Sequence, residues 1–414
     1  MPETTIRYWF YETPERIALG QKQIEEFQKK FPNIKITGST APDNTDNEML
    51  MPYIQSRTNS NIQQSVNIED LWYVEHGLLY PLNNFPDFRE IMNRFDPDLN
   101  YTWRDGNTYS ISWYMGPNVI YYNKKYLEQI GWDPAKPPQT YSEYYDFAKK
   151  VTNPSQNRYA INPWIQEEWW RWQFMVYPFY IAANGSSQLV NADGKTVMFN
   201  NPNGIKTLEF FETIFDNGWA AKEIFDDDAY PFISGIAASA RGQPDLIRSI
   251  KANAPPDFEY VIGPIPIPDG NTRGKFDTYA FVRNFAIIDE LGVPEGEARD
   301  RVRRASWEFM KFLLSDEQAA ADFAAAGDIP CLNNVRDNPL LKPIFDDFGQ
   351  QMADLMRIGA NATIPDMNTP LECEIAEPLQ QAYLQVVYNR MSAAQAIEWA
   401  EKEANRIISE YVAP

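Results

Sequence analysis

A chain of 414 residues is longer than one hydrophobic core normally serves, so two lobes are expected, and a hydrophobic fraction of 44% supplies enough material for them. The 57 acidic and 37 basic residues leave a formal net charge of −20, which argues against nucleic acid or an anionic membrane surface as partner and fits a soluble protein facing a neutral or cationic ligand. Aromatic residues reach 14%, including 12 Trp, and each indole N–H needs a partner when buried, so part of this content is expected on a wet binding surface. No run of about eighteen apolar residues marks a membrane span. The start, Met1-Pro2-Glu3-Thr4, carries no signal peptide.

Thr4 to Tyr11 alternates as a strand, with Ile6, Tyr8 and Phe10 on one side. Thr13-Pro14-Glu15 then opens a helix with Ile17, Ile24, Phe27 and Phe31 on its inner face, stopped by Pro32, and Asn33 to Thr37 is the next strand. This βαβ opening suits a parallel sheet, whose ligands gather beyond the carboxyl ends of the strands, at Trp9, Phe10, Tyr11 and Glu12. Gly106 marks a turn before strand residues Thr108–Trp113, and Asn118–Tyr122 is a further short run. Lys124–Ile130 reads as two helical turns closed by Gly131, and Thr140-Tyr141-Ser142-Glu143 is a capping box opening a helix with Tyr144, Phe147, Ala148 and Val151 inward. Between Trp164 and Tyr180 eight aromatic residues crowd together, too many for one helix face to hide. Asn201-Pro202 opens a helix stopped by Gly218, and Phe232–Ser239 reads as a small-residue strand ending at Arg241-Gly242-Gln243. The prolines of Ile262–Gly270 force an extended connection. Asp277–Ile288 is a strand, Ala298–Leu314 a helix, Ser315–Gln318 and Ser392–Gln395 further helix caps.

Chemistry-bearing residues are few. Aromatic planes bind the C–H face of a sugar ring while Asp, Asn, Gln and Arg bind its hydroxyl edge. Trp9, Trp113, Trp164, Trp169 and Trp170 are candidate platforms, with core packing as the alternative for each. Asp70 and Arg241 are candidate polar contacts; a helix N-cap is the alternative for the first and a surface salt bridge for the second. His76 is the sole histidine, so a multi-histidine metal site is excluded and a role at a helix C-terminus is favoured over catalysis. Asp226-Asp227-Asp228 and Asp43–Asp46 lack the ligand spacing of a calcium loop and read as solvated turns. No metal or other cofactor is indicated. Cys331 and Cys373 form no CxxC pattern; they either pair or stay thiols.

Taken together, Tyr122-Asn123-Lys124, Gly131, the Pro138-to-Glu143 step, Gly77-Leu78-Leu79-Tyr80-Pro81-Leu82, Ile262–Gly270 and the Ser315-to-Pro330 segment occur in a fixed order. The chain resembles, from Ile6 to Ile408, the family 1 extracellular solute-binding proteins, sugar-capturing subunits of bacterial ABC importers. The resemblance implies an α/β, two-lobed periplasmic-binding-protein-like fold of type II, each lobe a mixed sheet flanked by helices. It implies lobes 1–116 plus 284–335 and 117–283 plus 336–414, three hinge crossings near Gly116, Arg283 and Arg336, and a ligand cleft between. By the same resemblance Tyr11, Glu12, Tyr114, Gln243, Asp277 and Tyr279 join the ligand contacts. The implied protein is an extracytoplasmic monomer, periplasmic or lipid-anchored, whose leader is not in the sequence; its partners are a carbohydrate, with an oligosaccharide expected from the number of Trp residues, and the importer's membrane permease subunits. No catalysis is implied. A glycoside hydrolase with an aromatic-lined cleft is the alternative, since paired carboxylates can be found anywhere in so acidic a chain.

Overall fold

The computed structural model describes residues 2–10, 14–40, 47–221, 223, 225, 227–289, 294–365 and 368–411. Its strands are β1 (Thr4–Phe10), β2 (Ile34–Thr40), β3 (Ile62–Ser65), β4 (Ser110–Pro117), β5 (Val119–Asn123), β6 (Tyr159–Ile161), β7 (Ala237–Gly242), β8 (Tyr260–Gly263), β9 (Thr278–Ile287), β10 (Ile329–Pro330) and β11 (Ala362–Thr363). The chain forms two compact units: residues up to Met115 with Val282–Asp347, and Gly116–Phe281 with the residues from Phe348 onward. It passes between them after Met115, Phe281 and Asp347; the crossing expected near Arg336 falls instead after Asp347, and Arg336 belongs to the first unit.

In the first unit the sheet order is β10-β4-β9-β3-β1-β2. β1 and β2 run parallel, in register from Thr4↔Ile34 to Phe10↔Thr40, joined by the helix Pro14–Lys30. The period-two pattern is obeyed, with Ile6, Tyr8 and Phe10 buried, and Trp9 is buried as well. The helix ends at Lys30, before Pro32 can clash with its last turn, and buries Ile24 and Phe27. β3 pairs antiparallel with β9, and β10 antiparallel with β4 at Pro330↔Tyr114.

In the second unit the order is β6-β7-β5-β8. β7 is parallel to β6 and antiparallel to β5. The small side chains Ala237, Ala238, Ser239 and Ala240 make β7 a thin central strand, fully buried. The strand starts later than the sequence suggests: Phe232 and Ile233 close a short helix, Ala229–Ile233, and Gly235 at φ 80° turns the chain out of it. Helices Tyr177–Asn184, Pro202–Asp216, Glu372–Val387 and Ala393–Glu410 enclose a core in which Phe179, Phe210, Phe211 and Tyr383 meet edge-on or tilted. Several caps are those read from sequence, while the cap read at Thr13 lies outside the described residues and the helix carrying Asp70 has Val66 as its N-cap. Thr140 and Ser392 form capping boxes, and Asn201 accepts from the backbone N–H of Asn203 and Gly204. The sole histidine, His76, caps the helix Asn67–Glu75 at its C-terminal end and stacks on Trp72 at 3.7 Å.

Two buried polar knots hold the first unit. Asp70 lies inside the helix Asn67–Glu75, one turn past its N-cap Val66, and is fully buried. Its carboxylate accepts from Ser65 Oγ, from Ser110 Oγ at 2.6 Å and from Asn284 Nδ2 at 2.6 Å, which ties β3, β4 and β9 to one residue. Asn284 in turn accepts from Ser112 Oγ at 2.8 Å. The second knot is Asp289 at the end of β9, which accepts from Arg299 (Nη2, 2.6 Å) and from Arg303 (Nη2, 2.6 Å) of the helix Glu297–Leu313, while the Arg303 guanidinium lies 4.5 Å from the Tyr80 ring centroid. Asp289 is held below the usual carboxylate range by Arg303 and Arg299, against its burial.

Each knot gives a measurable outcome. Burial pushes the Asp70 acid up to about 6, with its hydroxyl and amide donors opposing. The folded state therefore holds a proton that the unfolded chain has released, and stability falls as pH rises from about 4 to about 6, by up to about 3 kcal/mol. Asp70→Asn removes that dependence. Urea unfolding from pH 4 to 7 is expected to show a wild-type curve descending relative to the variant, and parallel curves would contradict the assignment. Asp289→Ala leaves two buried guanidinium groups facing each other and is expected to cost about 3 kcal/mol at neutral pH, read as a lower urea midpoint at unchanged slope.

Candidate functional site

The sequence candidates fall into two sets, one in each unit. In the first unit, Tyr11 and Glu12 lie outside the described residues. Trp9 is buried with its ring edge-on to Tyr53 at 5.2 Å, and its backbone N–H donates to Ser60 Oγ. Trp113 is buried too, one face stacked on Phe285 at 4.9 Å and 15° and its edge region met by Tyr114 at 4.5 Å. Both indoles are thus committed to aromatic neighbours of their own unit. The Asp70 carboxylate, engaged by three donors and without exposure, holds strands together and offers nothing to a ligand, which corrects its assignment as a polar contact.

In the second unit the candidates converge. β6 ends at Ile161, paired with Ser239, and the chain leaves the sheet through Asn162, Pro163 and Trp164. Beside it β7 continues to Arg241, which is buried, so the surface salt bridge considered for it does not apply. Its guanidinium donates to Asp228 Oδ2 at 2.7 Å and to Asn118 Oδ1 at 3.2 Å, and lies 4.5 Å from the Trp164 ring centroid. Asp228 is therefore a largely covered partner rather than part of a solvated turn; burial pushes its acid up to about 6 although Arg241 pulls it down. Asp226 and Asp43–Asp46 lie outside the described residues. Arg171 sits 4.4 Å from the Trp170 centroid and 5.3 Å from that of Trp164, held by Glu168 at 2.8 Å. Trp164, Trp170 and Phe174 meet at 5.7 to 6.1 Å, and Phe174 continues the row to Phe281 at 5.1 Å and to Tyr279 at 6.4 Å.

Two cations laid on indole faces are attractive pairs of about 0.5–2 kcal/mol each, and they orient the rings that they cover. Trp169, half-buried at the start of the helix Trp170–Met175, has no aromatic or cationic partner for its ring among the described residues. The sequence missed Asn162. It is buried, yet neither its amide nitrogen nor its amide oxygen has a hydrogen-bond partner among the described residues. An amide in that state offers one donor and one acceptor side by side, the pair that reads a hydroxyl. Asn162 follows the carboxyl end of β6, a position that the strand-end rule flags once the strand is known.

The remaining candidates also lie in or beside the second unit's strands. Gln243 caps no helix with its side chain; it donates to the Gly116 carbonyl at 3.2 Å and receives the Tyr121 hydroxyl on its own carbonyl at 2.7 Å. Tyr279 is buried, and its carbonyl accepts from both the backbone and the side-chain N–H of Asn118 at 3.0 Å. Asp277 is nearly buried, its acid made weaker by burial with Arg273 opposing, and its Oδ1 has no partner among the described residues. Cys331 is a buried thiol and Cys373 a half-buried one, and the two form no disulfide. Among the described residues no group of His, Cys, Asp or Glu could hold a metal ion, and no helix is long and apolar enough to cross a membrane.

The family model for bacterial extracellular solute-binding proteins matches residues 22–346. A maltotriose-binding protein of Pyrococcus abyssi is 23% identical over 351 residues, 83% of this chain and 70% of its own. The sn-glycerol-3-phosphate-binding periplasmic protein of Salmonella typhimurium is 26% identical over 221 residues, 51% of this chain and 46% of its own. Among solved structures, the cyclic α-maltosyl-1,6-maltose binding protein of Arthrobacter globiformis superposes with a TM-score of 0.79 at 17% identity, covering 99% of this chain and 100% of that one. The sugar-binding protein MalE of Xanthomonas citri gives 0.78 at 18% identity, covering 98% of each chain. With that family's model matched over most of its length, and with the fold of these binding proteins, the chain belongs to the bacterial extracellular solute-binding protein family.

Proposed function

We propose that this protein captures an oligosaccharide outside the cytoplasm and hands it to the membrane subunits of an ABC importer, with no chemical step. The observation that carries the reading is the buried and unsatisfied amide of Asn162, two residues before Trp164, whose ring meets Trp170 at 5.7 Å, with Trp169 preceding Trp170 in the chain. Trp169 supplies an uncovered ring for the C–H face of a sugar, and Asn162 a donor and an acceptor for its hydroxyls. The guanidinium charges of Arg241 and Arg171 are balanced by Asp228 and Glu168, so this part of the second unit is close to neutral, as a neutral ligand requires. Relatives and structural neighbours that bind maltotriose and a cyclic maltosyl-maltose support a glucose oligomer as the first ligand to try. Three crossings of the chain are what a hinge needs, and a ligand favours whichever hinge conformation gives it most contacts. The protein acts as a monomer, free in the periplasm or lipid-anchored at the cell surface.

A panel of saccharides titrated by intrinsic Trp fluorescence, with each mixture checked for product, tests the proposal. Saturable quenching with unchanged sugar is expected, whereas turnover at a catalytic rate would establish the glycoside hydrolase reading. For the saccharide that binds, Asn162→Ala is expected to weaken affinity about 10- to 100-fold by losing hydrogen bonds worth about 1–3 kcal/mol, and Trp169→Ala about tenfold, both at near wild-type melting temperature. Wild-type affinity in both variants sinks the assignment of this site.

A further inference from the structure

We propose that Arg16 is the positioning residue of the Trp113–Tyr114 pair, and that Asp322, a second buried acid lining the same crevice, governs how firmly it is held. The proposal rests on the reading of Tyr114 as a ligand contact only where it predicts affinity. Arg16 stands in the first turn of the helix Pro14–Lys30 and ion-pairs with Asp328, just before β10. Its guanidinium carbon is 5.1 Å from the Tyr114 ring centroid and 5.9 Å from that of Trp113. A crevice of the first unit is lined by Arg16, Trp113, Tyr8, Gln23, Gln64 and Asp322, so the cation, the Trp113 ring and a second buried acid share it.

Asp322 comes from the helix Asp316–Ala326 and is buried; its nearest donor is Gln23 Nε2 at 3.4 Å. The groups facing it are Arg16 and Gln23 from the helix Pro14–Lys30, Tyr8 from β1, and Asp328 from the turn before β10. Behind these stand Tyr114 of β4, which acts on Arg16, and Arg283 of β9, which acts on Asp328 and whose guanidinium burial pulls down to about 9. Two carboxyl groups thus compete for Arg16. Burial, with Asp328 adding to it, pushes the Asp322 acid up to about 8 against the pull of Arg16. Below that pH Asp322 is a neutral acid and Arg16 keeps its ion pair with Asp328 beside the two rings. Above it a second anion stands in the crevice that Arg16 lines and draws the guanidinium from its place beside them. Tyr114 pairs with Pro330 of β10, next to Asp328, so the acid that holds Arg16 and the ring that it covers are built on neighbouring strands.

Aromatic circular dichroism of the ligand-free protein, taken as wild type minus Trp113→Phe, reads the pair directly. The wild-type difference signal is expected to change with a midpoint near pH 8 and to stay flat in Asp322→Asn. Arg16→Lys, which keeps the charge and the pairing with Asp328 but lacks the flat fork, is expected to show the altered signal already at neutral pH. The same transition persisting in Asp322→Asn, or an Arg16→Lys signal matching wild type, overturns the proposal. If Asp322→Asn does not fold, carbon NMR of the Asp322 carboxyl in the wild type decides, and a proton lost below about pH 6 overturns it. Maltotriose affinity over the same pH range carries the link to binding: a loss of about tenfold above pH 8 is expected in wild type and none in Asp322→Asn. A flat wild-type affinity beside a dichroism transition removes that link, and absence of binding by any saccharide sinks the ligand reading while the dichroism still decides the role of Arg16.

Discussion

A single buried carboxylate stands at the centre of the first unit. Asp70 collects Ser65, Ser110 and Asn284, one residue from each of β3, β4 and β9, and no part of it reaches solvent. Burying a carboxylate is unfavourable unless its lone pairs are filled, and here neutral donors fill them with no basic residue among them. A neutral shell leaves the proton affinity high, and it fixes the relative register of the strands, because a slip of one residue in β3, β4 or β9 would remove its donor from the knot. Strands β4 and β9 are the two that lead into the second unit, so the knot also fixes where they leave the first.

The second unit solves a different problem. Its wall carries buried cations beside large aromatic rings, and each guanidinium is matched to one carboxylate, Arg241 to Asp228 and Arg171 to Glu168. The pairing cancels net charge locally while the indole faces accept the cations' flat sides. Asn118 closes the arrangement from behind: it receives Arg241 on its side-chain oxygen, receives the Thr278 hydroxyl on its carbonyl at 2.6 Å, and donates to the Tyr279 carbonyl. One asparagine thereby links β9, the loop between β4 and β5, and the tip of β7. Rigid support of this kind is what allows a half-buried ring such as Trp169 to meet a ligand without first paying an ordering cost.

Much of this was legible in the chain because it is local. The βαβ opening, the Thr140 and Ser392 capping boxes, the Asn201 cap and the glycine stops at Gly131 and Gly218 depend on residues within a turn of one another, and the structure has them. The Trp164-to-Tyr180 crowd was correctly read as too large for one helix face, since Trp172, Tyr177, Phe179 and Tyr180 go inward while Trp164, Trp169, Trp170 and Phe174 stay half-buried. What could not be read was partnership at a distance. Asp70 meets Ser110 across 40 residues and Asn284 across 214, and nothing near Asp70 in sequence says that its hydrogen bonds are already taken. Arg241 finds Asn118 across 123 residues, and Asn162 gains significance only from the partners that it lacks. The β7 boundary failed for a local reason, a left-handed Gly235 that turned the first residues of an apparent strand into the end of a helix.

The second unit is assembled from two separated stretches of chain. Its core needs Glu372–Val387 and Ala393–Glu410 packed against Pro202–Asp216, so Phe211 waits for Tyr383 and Leu208 for a helix near the end of the chain. Until those helices arrive, the apolar faces of Tyr177–Asn184 and Pro202–Asp216 have nothing to close on. Synthesis runs from the other end, so the unit cannot finish folding before those two helices have been made. In a protein of an extracellular family, the parts of the second unit made first are thereby left open until the later stretch joins them.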